Sequence, residues 1–81
     1  MFNVDIIYRE ATLYILVEGN LNKRNIFKLK ERLYNIVKSY NILNIVLDVK
    51  KTNIQDEIAF YDFLDDYDMK YDGTLKVVEQ P

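Results

Sequence analysis

The sequence contains no cysteine and no histidine among its 81 residues. Without cysteine, disulfides and thiolate metal sites are excluded. Without histidine, the side chain that most often serves as a general base and metal ligand near neutral pH is also missing. The two glycines, Gly19 and Gly73, are too few for a glycine-rich phosphate-binding loop. These absences count against catalysis, and we expect no catalytic residue, no cofactor and no metal.

Long apolar runs are also lacking. No stretch approaches the roughly 18 apolar residues that a membrane-spanning helix needs, and the N-terminus has no basic segment before a long apolar one. The net charge of −2 gives no general attraction to nucleic acid or to anionic membranes. We therefore expect a cytoplasmic protein without nucleic-acid binding or membrane insertion, in which residues 1–81 form one domain.

The first half of the chain predicts two strands and a helix. FNVDIIY and TLYILVEG are strand-like, and the polar REA between them predicts a hairpin turn. Both faces of the second strand are largely apolar, which indicates an interior position in the sheet, and Gly19 is expected to end it. Asn22 is a suitable N-cap for the helix that follows. The apolar stripe of that helix comprises Ile26, Leu29, Leu33, Ile36, Val37 and Tyr40.

The second half predicts strand, helix and strand. NILNIVLDV is typical of a buried strand. The next helix is expected to begin between Thr52 and Asp56, either of which can cap it, and TLKVVE forms a last strand. The buried stripe of this helix comprises Ala59, Phe60, Phe63, Leu64 and Tyr67. The order β-β-α-β-α-β predicts an α/β fold, with a mixed four-stranded sheet and two helices on one face.

Several of these segments resemble STAS domains, the family of sulfate transporter and anti-sigma factor antagonist domains. LYILVEGNLN resembles the strand and G-x-L with which the family opens, and ILNIVLDV resembles its central strand, which reaches Asp48 here. DEIA, residues 56–59, lies where the family has D-S-S/T-G at the start of a helix. The similarity extends from about Val4 to Glu79 and is greater to the small bacterial antagonists than to the transporter-linked domains.

The resemblance implies a non-catalytic module that regulates transcription by binding another protein, such as an anti-sigma factor kinase or a related regulator. In the antagonists, the partner kinase phosphorylates a hydroxyl of D-S-S/T-G. Here Asp56 remains, but Glu57, Ile58 and Ala59 occupy the other positions, so no hydroxyl is available. Glu57 carries a charge of about −1 where a phosphoserine carries about −1.5 to −2, so mimicry of the phosphorylated state is one interpretation.

The start of the second helix supplies a candidate contact surface. If the predicted stripe is buried, Ile58 points outward among carboxylates, and an apolar anchor inside a polar rim is typical of protein interfaces. The simpler interpretations are that a single exposed isoleucine needs no explanation, or that the helix begins later and buries it. The partner-binding residues predicted on this basis are Asn22, Lys23, Asp56, Glu57, Ile58, Tyr61, Asp62 and Asp65.

Charge is segregated between the two helices. Residues 23–38 contain six basic side chains and one acidic, whereas residues 55–72 contain seven acidic and one basic. Attraction between the helices is one interpretation, and recognition of a partner with complementary charge is the other.

Three alternatives remain open at this point. The domain could associate with itself as a homodimer or scaffold, because DIIY and LYILV have largely apolar faces. The contact would use the sheet face or edge left bare if the sheet lacks the further helix with which the family continues after the last strand. It could be an acidic inhibitor whose aspartate-rich helix enters a basic groove. Finally, Asp62, Asp65, Asp66 and Asp68 could hold Mg²⁺ or Ca²⁺, although a solvated acidic face explains them more simply.

Overall fold

The computed structural model describes residues 2–80. Its elements follow the predicted order β-β-α-β-α-β. They are β1 (Phe2–Arg9), β2 (Thr12–Leu21), α1 (Lys23–Tyr40), β3 (Asn44–Ile54), α2 (Glu57–Lys70) and β4 (Thr74–Val78).

The four strands form one mixed sheet in the order β1-β2-β3-β4. β1 is antiparallel to β2, whereas β2 with β3 and β3 with β4 are parallel pairs. The two parallel connections advance across the sheet in the same direction, so right-handed crossovers place both helices on the same face. We call this the helix face and the other the open face. The predicted mixed sheet with two helices on one face is confirmed, as is the interior position of β2.

The hydrophobic core lies between the helix face of the sheet and the two helices. Its strand residues alternate along β2 and β3, as a strand with one covered face requires. The buried side chains are Leu13, Ile15, Val17, Leu21, Ile26, Leu29, Leu33, Val37, Ile42, Ile45, Leu47, Val49, Phe60, Phe63 and Tyr67. Tyr40, which belongs to the predicted stripe of α1, is instead 75% exposed because it is the last residue of the helix, beyond the last buried turn at Val37.

Two strands are longer than the sequence predicts. β2 continues past Gly19 to Leu21, and the pairing with β3 shifts register between Leu16 and Glu18. β3 carries the extra residue, because it advances three residues, from Asp48 to Lys51, while β2 advances two. Gly19 follows the shift and has a φ of 106°, a conformation that residues other than glycine rarely adopt. β3 likewise continues to Ile54, because its last four residues pair with the extended end of β2.

The β1–β2 hairpin turns through two residues, since Arg9 still pairs with Thr12. Glu10 and Ala11 both have positive φ, at 52° and 60°. Two-residue hairpin turns of this kind favour asparagine and glycine, so the residue types here are unusual for the backbone that they adopt.

Candidate protein-interaction surface

The two helices start side by side at one end of the sheet. Leu21, the last residue of β2, pairs with Ile54, the last residue of β3. The carbonyl oxygen of Leu21 accepts hydrogen bonds from the backbone amides of Gln55 at 3.1 Å and Asp56 at 3.3 Å. Because α1 and α2 begin within two or three residues of these strand ends, the predicted partner-binding residues of both helix starts lie at the same end of the molecule.

A side-chain cap fixes the start of each helix. The Asn22 side chain accepts a hydrogen bond from the Asn25 amide at 2.8 Å, and the Asp56 side chain accepts one from the Ala59 amide at 3.0 Å. The prediction of Asn22 as a cap is confirmed, and Asp56 is the cap of α2. Thr52, the other candidate cap, lies within β3 and donates its hydroxyl to the carbonyl oxygen of Val49 at 2.7 Å.

Burial of one side of α2 determines which residues face outward. Phe60, Phe63 and Tyr67 are almost fully buried against the sheet and α1. Ile58 lies on the opposite side and is 79% exposed. Its predicted outward orientation is therefore confirmed, while its role in binding stays a prediction.

The other predicted residues of α2 surround Ile58. We define the α2 start surface as five exposed residues: Glu57, Ile58, Tyr61, Asp62 and Asp65. Residues three and four positions apart are neighbours on a helix, so Asp62 and Asp65 lie along the same side as Ile58. One apolar side chain is thus set among three carboxylates and a tyrosine.

Tyr61 is held in place by contacts that the sequence did not predict. Its hydroxyl donates a hydrogen bond to the Glu79 Oε1 atom at 3.2 Å, and its ring packs edge-on against Phe60 with the centroids 5.4 Å apart. The hydrogen bond to the Glu79 carboxylate favours the protonated phenol and raises the pKa of Tyr61 above its usual value. Glu79 follows β4, 18 residues further along the chain, and no local pattern points to it.

The start of α1 contributes differently from the prediction. The side-chain oxygen of Asn22 already accepts the capping hydrogen bond from the Asn25 amide, whereas Lys23 is exposed. Phe27 was not among the predicted residues, yet it is 60% exposed. It lies one turn before Lys30, which forms an ion pair with Asp66 of α2. Its position outside the apolar stripe of α1, like that of Ile58 on α2, is the sequence signal that could have identified it.

Few of the segregated charges are used between the helices. In residues 2–80, a single ion pair joins α1 to α2, between Lys30 Nζ and Asp66 Oδ2 at 3.2 Å. The amino groups of Lys30 and Lys70 also lie over the ring of Tyr34, at 5.6 and 5.3 Å from its centroid. Since an exposed ion pair contributes at most about 1 kcal/mol, attraction between the helices explains little of the segregation.

The acidic residues do not form a cation site in the described chain. Within residues 2–80, no three carboxylates converge as a metal ion would require. Asp66 is instead paired with Lys30. Nor does either helix have the length and apolarity to cross a bilayer, as far as residues 2–80 are concerned.

The architecture of sheet and helices defines a STAS-like fold. A crystal structure with this fold, that of an anti-sigma-factor antagonist STAS domain from Rhodobacter sphaeroides, superposes on the chain with a TM-score of 0.68. The two sequences are 15% identical, and the match covers 95% of this chain and 85% of that one. No protein-family model and no curated protein sequence matches the chain. The STAS-like fold expected from the sequence is thus confirmed by structure.

Proposed function

We propose that this protein is a non-catalytic regulatory module that binds another protein through the α2 start surface. The observation that carries the proposal is the 79% exposure of Ile58 among carboxylates at the capped start of a helix. The STAS-like fold supports it, because the structural neighbour is described as an anti-sigma-factor antagonist. The partner we propose is an anti-sigma factor kinase or a related regulator of transcription, acting in the bacterial cytoplasm.

Rigid presentation favours binding at this place. Asp56 fixes the first turn of α2, and Phe60 anchors it in the core. Tyr61 is oriented by Glu79 and by the Phe60 ring. A surface that is already ordered loses less conformational entropy when a partner binds. Transfer of the Ile58 side chain from water into a partner's pocket would then contribute roughly 1.5–3 kcal/mol.

Binding through this surface would not be switched by phosphorylation. The three positions after the Asp56 cap hold Glu57, Ile58 and Ala59, none of which has a hydroxyl. Glu57 is exposed and places one permanent negative charge in the first turn. The domain is therefore proposed to have a single binding state with one fixed affinity, so that the fraction of partner bound is set by the concentration of the domain and not by a kinase.

The decisive experiment compares two aspartate substitutions on the same helix. Ile58→Asp removes the apolar anchor, and we expect partner capture from the native cell to fall by at least tenfold, as measured by quantitative mass spectrometry. Tyr61→Ala should weaken capture as well. Met69→Asp is the matched control, because Met69 is 85% exposed at the other end of α2 and should bind like the wild type.

Two results would contradict this proposal. Equal capture by Ile58→Asp and by the wild type would remove the α2 start surface as the contact site. Incorporation of phosphate into the purified chain by the captured kinase and ATP would contradict the proposal that the domain has a single binding state.

Self-association is a second candidate function, favoured by the unpaired edge of β1. An acidic inhibitor is the third, favoured by the acidic residues exposed along α2.

A further inference from the structure

The outer edge of β1 carries an unusual amount of exposed apolar surface. β1 is the first strand of the sheet, so only one of its edges is hydrogen-bonded, to β2. Edge strands are commonly protected by charge, bulges or short length. This one extends over eight residues, and Ile7 and Tyr8 near its end are 61% and 57% exposed.

An apolar groove runs beside the same edge on the helix face. Its walls come from β1, β2 and the end of α1, with Ile42 at the base: Ile6, Tyr8, Leu13, Ile36, Tyr40 and Ile42. Tyr40, the last member of the predicted apolar stripe of α1, contributes the most exposed side chain of this set. Unpaired backbone groups and apolar side chains thus lie together at one edge.

The charges of β1 specify one way in which two copies can meet. Asp5, Ile7 and Arg9 alternate along the strand and share the open face, where the Arg9 guanidinium lies 5.3 Å from the centroid of the Tyr14 ring. In an antiparallel pair with two-fold symmetry centred on Ile7, Asp5 of each copy is opposite Arg9 of the other. On the helix face, the same register sets Ile6 opposite Tyr8 and extends the groove across the junction.

Centres at the other residues from Asp5 to Arg9 are electrostatically worse. A two-fold axis at Asp5 sets two aspartates opposite each other, and one at Arg9 does the same with two arginines. An axis at Ile6 or at Tyr8 sets Ile7 opposite a charged residue. Opposite charges across a strand pair stabilise it, and like charges destabilise it.

We propose that two copies of this chain pair through β1, antiparallel and centred on Ile7, to form a continuous eight-stranded sheet with all four helices on one face. The opposite edge is less suited, because β4 has five residues with the exposed Lys76 at its centre, and a two-fold axis there would oppose two lysines. The dimer does not depend on the proposed partner binding. It leaves both α2 start surfaces free, since α2 connects the two strands farthest from β1.

Charge reversal tests the register directly. We expect sedimentation to show a wild-type dimer at high micromolar concentration. Asp5→Arg and Arg9→Asp should each lower the association constant by about tenfold or more, because each creates two like-charge pairs. The double variant Asp5→Arg/Arg9→Asp should restore the dimer, and an equimolar mixture of the two single variants should form a heterodimer.

Cross-linking gives an independent measurement, because the natural chain has no cysteine. Ile7→Cys should form a disulfide between copies under mild oxidation, since the two residues are opposite each other at a separation that a disulfide can bridge. Lys76→Cys on the β4 edge is the matched control and should remain reduced.

Three outcomes would overturn the proposal. One is a wild-type chain that remains monomeric at millimolar concentration, which would leave the edge to a strand of a different protein. The second is a dimer that survives both single charge reversals with the affinity of the wild type. The third is faster cross-linking through Lys76→Cys than through Ile7→Cys. Circular dichroism of each variant shows that the fold is retained, so that loss of the dimer is not loss of structure.

Discussion

Glu10 and Ala11 adopt left-handed backbone conformations in the hairpin turn, and neither residue is suited to them. A Cβ atom in this region is crowded by the following carbonyl oxygen, at a cost of about 1–2 kcal/mol per residue. The hairpin is nevertheless closed by eight residue pairs between β1 and β2. The strands therefore impose the conformation on the turn, and the turn should be a place where stability can be gained.

Ala11→Gly should stabilise the protein. Relief of the left-handed strain outweighs the greater chain entropy of glycine in the unfolded state, so we expect a net gain of about 0.5–1 kcal/mol in the free energy of unfolding. Urea denaturation measures it. The other alanine of the chain, Ala59 in the first turn of α2, is the control, because Ala59→Gly should destabilise by up to about 1 kcal/mol. Destabilisation by both substitutions would contradict the argument.

Tyr34 and Tyr67 are a second place where individual residues lower the stability of the fold, because each buries a polar group. Their rings are 6.2 Å apart, and within residues 2–80 neither buried hydroxyl has a hydrogen-bond partner. Burial disfavours the phenolate in each case and raises the pKa above its usual value, with nearby Asp66 adding to the effect on Tyr34 and Tyr71 to the effect on Tyr67.

Tyr67→Phe should therefore be neutral or stabilising by about 1 kcal/mol at neutral pH, because it removes an unsatisfied hydroxyl without opening a cavity. A raised pKa in the folded state contributes stability that is complete below the ordinary tyrosine value of about 10 and is lost as the pH rises through the folded value. Thermal melts recorded at increasing pH above about 10 should show that the melting temperature declines less steeply for Tyr67→Phe than for the wild type.

Tyr61→Phe is the control for this substitution. The Tyr61 hydroxyl is at the surface, bonded to Glu79, so its removal should leave the stability at neutral pH nearly unchanged. A loss of stability in Tyr67→Phe larger than that in Tyr61→Phe would show that the buried hydroxyl is in fact satisfied.

At the scale of single residues, helical periodicity predicted what depends on local position. It correctly set Ile58 outside and Phe60 inside. Periodicity failed for Tyr40, because the apolar period continues to the end of α1 whereas the core against which α1 packs ends near Val37. It also gave no account of the Tyr61–Glu79 contact, because that contact depends on where β4 ends in space.

At the scale of elements, the strand ends were the least predictable part of the fold. KKTNI, the second half of β3, is mostly polar and gives no strand signal by itself. It is extended because it pairs with Glu18–Leu21 after the register shift between β2 and β3. Pairing between distant segments overrides local preference in this way, and a sequence pattern within one segment cannot reveal it.

Gly73 shows a different constraint on an element, the connection into β4. It has a φ of 101°, and a Cβ atom added there would collide with the backbone carbonyl of Leu43. The same carbonyl accepts a hydrogen bond from the Thr74 amide at 2.8 Å, so it cannot move away freely. The glycine is therefore required both by its backbone angle and by the approach of the neighbouring chain.

Gly73→Ala should destabilise the protein by about 2–4 kcal/mol, which combines the left-handed strain with the collision. Gly19→Ala is the matched control, because Gly19 has a similar φ of 106° and should show the strain alone, about 1–2 kcal/mol. Chemical denaturation of both variants gives the difference. Equal losses of stability in the two variants would mean that the Leu43 carbonyl can move away from the added Cβ atom without an energetic cost.

At the scale of the whole molecule, the sequence predicted the architecture well because many weak signals agreed. The G-x-L segment, the strand reaching Asp48 and the helix start at Asp56 are each common, but their spacing together matched a STAS-like fold. The proposed contact surface followed from the same frame. The apolar faces of DIIY and LYILV also indicated self-association through the sheet, but this pattern did not distinguish the open face from the outer edge of β1.

The separation of charge between the helices should make the rate of association with the partner depend on salt concentration. Raising salt shortens the Debye length from about 8 Å at 0.15 M to about 3 Å at 1 M, which weakens long-range attraction more than a buried apolar contact. We expect salt to slow association with the partner while dissociation changes little, as measured by surface plasmon resonance. Asp65→Asn should reduce the salt dependence, and Ile58→Asp should speed dissociation. A complex that dissociates entirely at high salt would favour an acidic inhibitor.

One backbone oxygen, that of Leu21, accepts hydrogen bonds from both residues that lead into α2. No side-chain substitution can delete this acceptor, and among natural residues only a proline at position 55 or 56 would delete a donor. These backbone bonds link the two helix starts in addition to the Asn22 and Asp56 side-chain caps, and substitutions at the exposed residues of the α2 start surface leave them in place. Substitutions of the exposed side chains at this end could therefore change which protein is bound while these backbone bonds keep the two helix starts in place.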